Sequence, residues 1–261
     1  MKLLSIRPHS SIANYVSNIV VLQDDNFYEE WVIPLIAKGA PSIAFQVTGR
    51  ASGKNKETDS LVLYGQNIKP FEFRAFGHLT IIAYFLYPHI LKTFFGFDAN
   101  EATDLSVDLS LLQPARAINL KEQLVNATSL DIRLQLINNY ILRLADLART
   151  DINNSILFAT KSIQKSNGLM PLRSIQNELR VTERTFQRLF EFHVGVSPKT
   201  FSRICQFHSA FQQLENGQFH KLGDIAYENG YADQSHLIRA FKEFTNYSPG
   251  EYLKLSSAFR E

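Results

Sequence analysis

The chain has little of what marks secreted, membrane-spanning or multi-cysteine metal proteins. Its 261 residues contain one cysteine, Cys205, which excludes an intramolecular disulfide and every multi-cysteine metal site. The N-terminal residues begin like a secretion signal, but Arg7, Pro8 and His9 interrupt them before an apolar core of useful length develops. No apolar run is long enough to span a membrane. We therefore expect a cytoplasmic protein that does not enter a membrane.

A strong excess of either charge is also missing. The formal net charge is +2, and residues 171–261 contain 11 Lys and Arg against 10 Asp and Glu. Bulk charge therefore gives little indication of nucleic-acid binding. Such a site would depend on where the charges lie, because one face of a helix can be basic while the acidic residues lie elsewhere.

Motifs typical of enzymes and cofactor sites do not occur either. The sequence has no Gly-x-Ser-x-Gly, phosphate-binding or dinucleotide-binding loop. His78 and His89 are too far apart for a His-x-His metal pair, so we expect the histidines to be structural or exposed. Cys205 is expected to pack as a small core residue. We predict no catalytic residue, no metal and no cofactor.

The pattern of apolar residues changes along the chain and predicts two domains. Between Trp31 and about Tyr87, apolar and β-branched runs such as SIAFQV and LTIIAYFLY alternate with turn-rich stretches, which is typical of short strands. Pro114 opens a helical region, and the polar run TDINNS follows Arg149. The predicted domains are 1–150, β-rich over 1–95 and helical over 114–149, and a second domain over 151–261.

One apolar stripe stands out in the helical region. Its residues recur at alternating intervals of four and three, which places them on one face of a long helix: Leu130, Leu134, Ile137, Ile141, Leu144 and Ala148. The stripe has two interpretations. It is either a seam that pairs with a second copy of the chain or a face that packs on the chain's own strands.

The C-terminal region contains an internal repeat at an offset of 51 residues. RLFEFHVGVSPKTF from Arg188 matches RAFKEFTNYSPGEY from Arg239, which indicates two copies of one helical unit. In each copy an inner apolar face, such as Phe186 and Phe190 in the first, is spaced as on a helix. Thr182 and Asp233 are predicted to cap the two helices, and each helix is followed by a Ser-Pro helix start.

The second copy is preceded by LGDIAYENGY, which predicts a short helix ended by the turn at Asn229 and Gly230. The result is a helix-turn-helix unit. Because a helix fits the DNA major groove, and Arg and Gln side chains match base edges there, four outer-face residues are candidates for reading sequence: Gln187, Arg188, Gln234 and Arg239. These faces could instead be ordinary solvated surfaces, but an outer Arg in both copies favours a function.

Phosphate contacts are predicted for a second set of residues. It comprises long cationic side chains and the capping residues of helix N-termini, where backbone N–H groups favour anions. The set is Thr182, Lys199, Arg203, Lys242, Ser248 and Lys254.

At these residues the chain resembles the AraC/XylS family of bacterial transcription regulators, over about Asp151 to Lys254. The strongest part is IAYENGYADQSHLIRAFKEFTNYSPGEYL. The resemblance implies that bases are contacted by Arg184, Gln187 and Arg188 in the first unit and by Gln234, Ser235 and Arg239 in the second. It also implies a connecting helix over Pro198 to Leu214. The departures from the family pattern are Gln176, Arg180, Ile238 and Asn246.

The resemblance implies an α+β fold: a small N-terminal β-barrel of cupin type plus helices, then an all-α domain with two helix-turn-helix units joined by a long helix. The implied function is sequence-specific DNA-binding transcription regulation, tilted toward activation and controlled by a small molecule or partner at the N-terminal domain. Candidate partners are double-stranded DNA, a small-molecule effector, RNA polymerase and a second copy of the chain. Effector-binding residues are not assigned. A cupin-like enzyme and a protein-interaction module remain the alternatives.

Overall fold

A computed structural model of the chain describes residues 2–37, 39–53, 56–57, 61–148, 153–217 and 219–258. Its N-terminal part, residues 2–148, contains an antiparallel sheet. The strands are β1 Lys2–Ile6, β2 Val16–Leu35, β3 Ser42–Gly53, β4 Lys56–Glu57, β5 Leu61–Tyr64, β6 Phe71–Leu86 and β7 Ser106–Asp108. Their order in the sheet is β1-β2-β6-β3-β5-β7, and β4 pairs with β3.

Four helices accompany the sheet: α1 Ile90–Phe95, α2 Gln113–Ala117, α3 Leu120–Asn126 and α4 Leu130–Leu147. A 3₁₀ turn, Ala99–Ala102, lies between α1 and β7. Along Ile43–Gln46 of β3 and Ile81–Leu86 of β6, buried and half-buried residues alternate, because successive side chains of a strand point to opposite faces. Ile43 and Phe45 of β3 thus enter one core with Ile82 and Tyr84 of β6.

The apolar stripe on α4 packs on this same core. Ile137, Ile141 and Leu144 are fully buried, and Leu130, Leu134 and Ala148 pack against the cluster. The Tyr84 hydroxyl lies 3.1 Å from the Leu134 carbonyl oxygen and 3.0 Å from Asn138 Oδ1, and it donates its one proton to either acceptor, which joins β6 to α4. Of the two interpretations of the stripe, the structure therefore supports the face that packs on the chain's own strands.

The C-terminal part, residues 153–258, is helical throughout its regular elements. Its helices are α5 Asn154–Lys165, α6 Leu172–Leu179, α7 Glu183–Val194, α8 Pro198–Glu215, α9 Leu222–Glu228, α10 Gln234–Thr245 and α11 Pro249–Ala258. The α+β class is confirmed, since a sheet with helices precedes an all-α part. The predicted domain boundary at 150/151 lies outside the described residues.

Candidate nucleic-acid interface

The first helix-turn-helix unit consists of α6 and α7. Arg180 ends α6 in the left-handed conformation, with φ of 53°, and the Val181 N–H donates to the Gln176 carbonyl at 3.1 Å. These are the bonds of a tight helix C-terminus, which glycine usually provides. Arg180 therefore occupies the turn position in the same conformation, although it departs from the family pattern. Thr182 then caps α7, since its hydroxyl accepts from the Thr185 N–H at 3.3 Å.

The second unit, α9 and α10, follows the sequence prediction closely. Gly230 lies in the turn with φ of 71°, and Asp233 caps α10 by accepting from the His236 N–H at 2.7 Å. The turn is tied to the connecting helix, because buried Asn229 donates to Gln213 Oε1 at 2.8 Å. Gln206 donates to the Asn229 carbonyl at 2.9 Å. Hydrogen bonds to α8 therefore hold the turn between α9 and α10 in place.

Helix α8 links the two units and carries one aromatic anchor for each. Phe201 packs with Phe190 of α7, with ring centroids 5.6 Å apart. Phe207 packs with Phe241 of α10, with ring centroids 5.2 Å apart. These pairs belong to separate buried clusters, one in each unit. The predicted connecting helix over Pro198 to Leu214 is confirmed, and the observed helix ends at Glu215.

The inner faces of α7 and α10 are buried as predicted, so their outer faces point to solvent. Phe186 and Phe190 of α7 and Leu237 and Phe241 of α10 are at most 1% exposed. All six predicted base-contacting residues are exposed: Arg184, Gln187, Arg188, Gln234, Ser235 and Arg239. Gln187 is held along its own helix by a 3.0 Å bond from Nε2 to Glu191 Oε1.

The predicted phosphate-contacting residues fall into two groups. Lys199, Lys242 and Lys254 are exposed. Thr182 and Ser248 are N-caps, and Ser248 forms a reciprocal pair with Glu251: Glu251 N–H donates to Ser248 Oγ, and Ser248 N–H donates to Glu251 Oε2. This pair holds the pKa of Glu251 below its usual value.

Arg203, also in this set, forms an ion pair within the chain. Its guanidinium forms an ion pair with Glu243 of α10 and lies 5.6 Å from the centre of the Phe244 ring. Both ion-paired side chains are more than 40% exposed, so solvent screens the pair. The guanidinium of Arg203 is therefore accessible to solvent.

A groove of about 540 Å³ between α8 and α10 brings several of these residues together. Lys199, Arg203 and Arg239 line it from the predicted set, and Glu243 supplies the opposing charge. Sequence reasoning missed Tyr231 and His236, which also line the groove. Their rings meet edge to face, with centroids 5.2 Å apart. His236 lies one helical turn before Arg239 and Ala240, so helical spacing places it on the same face as Arg239. That spacing could have identified it as a residue of the groove.

The cysteine, the possible metal ligands and the apolar helices give no sign of a further site in the described residues. Burial raises the pKa of the Cys205 thiol to about 12, so it packs against the first unit's core as a neutral side chain. Over the described ranges, no group of three or more His, Cys, Asp and Glu residues is placed to hold a metal ion. Within the same ranges, none of the helices combines the length and apolarity needed to cross a membrane.

Comparisons with known proteins agree with this geometry. Residues 175–255 match a family described as a helix-turn-helix domain, and residues 4–108 match a domain family of unknown function. An uncharacterized HTH-type transcriptional regulator of Haemophilus influenzae is 31% identical over 125 residues, which cover 44% of this chain and 41% of that protein. The chain thus matches less than half the length of this relative.

Two crystal structures of ToxT from Vibrio cholerae share the fold over nearly the whole chain. One, bound to (E)-4-(8-methylnaphthalen-1-yl)but-3-enoic acid, has a TM-score of 0.51 at 16% identity. The other, at 1.65 Å resolution, has a TM-score of 0.50 at 16% identity. Each alignment covers 97% of this chain and 98% of the ToxT chain. The family match thus makes residues 175–255 a helix-turn-helix domain, and the likeness to ToxT shows the fold of the chain.

Proposed function

We propose that this protein is a sequence-specific DNA-binding transcription regulator that reads successive major-groove segments with α7 and α10. The observation that carries the proposal is the repeated exposed arginine. Arg188 and Arg239 occupy equivalent positions of the 51-residue repeat, and both lie exposed on helices whose opposite faces are buried. An Arg side chain offers two parallel donors to the O6 and N7 atoms of guanine, and a helix fits the major groove.

We propose two roles for the predicted residues. Arg184, Gln187, Arg188, Gln234, Ser235 and Arg239 contact bases, because they share the exposed faces of α7 and α10. Phosphates are contacted by residues at helix N-termini or with long cationic side chains: Thr182, Lys199, Arg203, Lys242, Ser248 and Lys254. Helix α8 connects the two units, and one of its aromatic side chains packs in the core of each.

The N-terminal part is proposed to be a sensing domain over residues 1–150, with the DNA-binding domain over 151–261. ToxT shares this fold, and one of its structures holds a naphthalenyl butenoic acid, which supports a small organic acid as the kind of effector to test first. A cytoplasmic location follows from a DNA partner. RNA polymerase and a second copy of the chain are further partners to test, and we propose no enzymatic activity.

The deciding experiment selects binding sites from a random duplex DNA library with the full-length protein. The winning duplexes are then measured with Arg239→Ala and Gln187→Ala over a salt series. Arg143→Ala is the matched control, because Arg143 is an exposed arginine on α4, far along the chain from either unit. We expect two short enriched motifs about one helical turn apart, with each interface variant relaxing specificity in one motif.

The salt series distinguishes a DNA-binding protein from a protein-interaction module. Neutralising phosphates releases counterions, so the logarithm of the binding constant should fall linearly with the logarithm of the salt concentration. No enrichment together with no salt-dependent binding would contradict the regulator. A slope without enrichment would reduce the proposal to binding without sequence preference.

A further inference from the structure

The N-terminal part touches the last turn of α7. Thr103, just after the 3₁₀ turn, donates its hydroxyl to the Gly195 carbonyl at 2.6 Å. Gly195 is the left-handed residue that ends α7, and a Cβ on it would lie 2.7 Å from the Ala99 carbonyl oxygen. The Lys92 ammonium lies 4.1 Å from the centre of the Phe192 ring. The C-terminal end of the first recognition helix is thus seated against α1 and the 3₁₀ turn.

The N-terminal part also touches the last turn of α10. Ala37 follows β2 and is fully buried in the core cluster of the second unit. Its N–H donates to the Phe244 carbonyl at 3.4 Å, and its carbonyl lies 2.5 Å from His208 Nε2 of α8. Two residues on, a Cβ on Gly39 would lie 2.8 Å from the Ile204 methyl. One body therefore contacts the C-terminal ends of both recognition helices.

These contacts leave the predicted reading faces open. All six proposed base-contacting residues lie nearer the N-termini or the outer faces of α7 and α10, and all six are exposed with the N-terminal part in place. Masking of these residues is therefore not how this part acts on DNA binding in this conformation. What it can change is the position of one recognition helix relative to the other.

We propose, on the basis of the DNA-binding function above, that Ala37, Gly39, Ala99 and Thr103 form an orientation clamp that sets the separation of α7 and α10 and so the spacing of the two DNA motifs. Spacing is a sensitive measure of this geometry. Moving one motif by one base pair shifts it by about 3.4 Å along the duplex and rotates it by about 35°. A small displacement of either helix end thus changes which spacing fits.

Glycine substitutions provide wedges with matched controls. The methyl group of Gly195→Ala would clash with the Ala99 carbonyl oxygen, and that of Gly39→Ala would clash with the Ile204 side chain. Gly217→Ala and Gly96→Ala are the controls, because these glycines also have positive φ, 64° and 78°, while a Cβ there meets nothing within 4 Å. Backbone strain is common to all four variants, and only the first pair adds a clash at the clamp.

A milder substitution tests the clamp if Gly195→Ala or Gly39→Ala prevents folding. Thr103→Val keeps the shape of the side chain and removes the hydroxyl that bonds Gly195. Thr93→Val is its control, because the Thr93 hydroxyl bonds the His89 carbonyl of its own helix. Circular dichroism melts of all six full-length variants identify those that are folded.

The measurement is the affinity of each full-length variant for synthetic duplexes carrying the selected motifs at the preferred spacing and at one and two base pairs more or less. We expect the unmodified protein to prefer one spacing at least tenfold. Clamp variants should bind each single motif within about twofold of the unmodified protein, but lose the spacing preference to below about threefold or move the optimum. The controls should keep it.

Three results are distinguishable. A spacing profile that is the same for clamp variants, controls and unmodified protein would overturn the clamp while the DNA-binding function stands. A flat profile for the unmodified protein would overturn it as well. Absence of binding to every duplex would instead contradict the proposed function itself, and the clamp with it.

Discussion

At the scale of single residues, local hydrogen bonds decide where the helices of the two units begin and end. Four N-cap residues each accept a hydrogen bond from a backbone N–H of the first helical turn through a side-chain oxygen: Thr182, Ser197, Asp233 and Ser248. Such caps are local in the chain, so their positions could be predicted from sequence, and they are confirmed. Arg180 and Asn246 adopt positive φ at positions where glycine costs less, which shows that the turn geometry overrides residue preference there.

Ser248→Ala should lower the free energy of unfolding by about 1 kcal/mol, because it leaves the first turn of α11 without its cap. The Ser248 backbone N–H keeps its bond to Glu251 Oε2 in this variant, so the loss is that of the bond accepted by the hydroxyl. Chemical denaturation of the full-length protein measures it. Ser174→Ala is the control, since Ser174 is an exposed residue inside α6. An equal effect of both substitutions would show that the cap contributes nothing specific.

At the scale of elements, contacts between helices and strands select among interpretations that periodicity leaves open. The α4 stripe matches both a dimer seam and an inner face, because both bury the same apolar positions. Burial of Ile137, Ile141 and Leu144 against the sheet resolves it. Arg203 shows the same limit, since the sequence predicts a phosphate contact for it but does not reveal its partner Glu243, 40 residues away.

Two tyrosines test the bonding between β6 and α4. Tyr84→Phe removes a buried hydroxyl that bonds Leu134 and Asn138, so the free energy of unfolding should fall by about 1–2 kcal/mol. Tyr140→Phe removes a buried hydroxyl that has no hydrogen-bond partner among the described residues, so stability should be unchanged or higher. Urea denaturation compares them, and an equal loss for both would contradict the assigned bonds.

Glu243→Gln tests the ion pair in the groove between α8 and α10. Removing the carboxylate frees Arg203 for a phosphate, so affinity for the selected duplex should rise about threefold to tenfold and the salt slope should steepen by about 0.9. Stability should change little, because the pair is largely exposed. Glu122→Gln, an exposed change of the same charge on α3, is the control. No change in slope would mean that Arg203 makes no phosphate contact.

At the scale of the whole molecule, the joint between the two parts buries a histidine. His89 is 3% exposed, stacks on Tyr87 and has no hydrogen-bond partner for either ring nitrogen among the described residues. Burial, together with Lys161 of α5 and His193 of α7, lowers the pKa of His89 to about 4. The pKa of His193 is also lowered, by burial and by Lys92, against the opposing effect of Asp98.

The joint should therefore weaken in acid. A folded pKa below the unfolded value of 6.5 means that the unfolded state binds more protons, so the contribution is complete above pH 6.5 and is lost as the pH falls toward 4. We expect the free energy of unfolding to fall by about 2–3 kcal/mol between pH 7 and pH 4 from this residue. Urea denaturation over that range measures it.

His89→Leu should remove most of this pH dependence, whereas His220→Leu, at an exposed histidine, should keep it. If the pH profile of His89→Leu coincides with that of the unmodified protein, the pKa of His89 is the same in the folded and the unfolded state, and the prediction is wrong. The residual slope in His89→Leu reports His193 and the carboxylates.

The sequence by itself determined the caps, the turn positions and the inner faces of α7 and α10, because these depend on residues at most a few turns apart. It also determined the repeat that places an exposed arginine in each unit. The connecting helix was implied by the family resemblance. Only the tertiary structure decided that α4 packs on the sheet, that Glu243 holds Arg203, and that Ala37 and Thr103 meet the ends of the two recognition helices. These contacts join residues far apart in the chain, and they depend on how whole elements pack, which local hydrophobic periodicity does not specify.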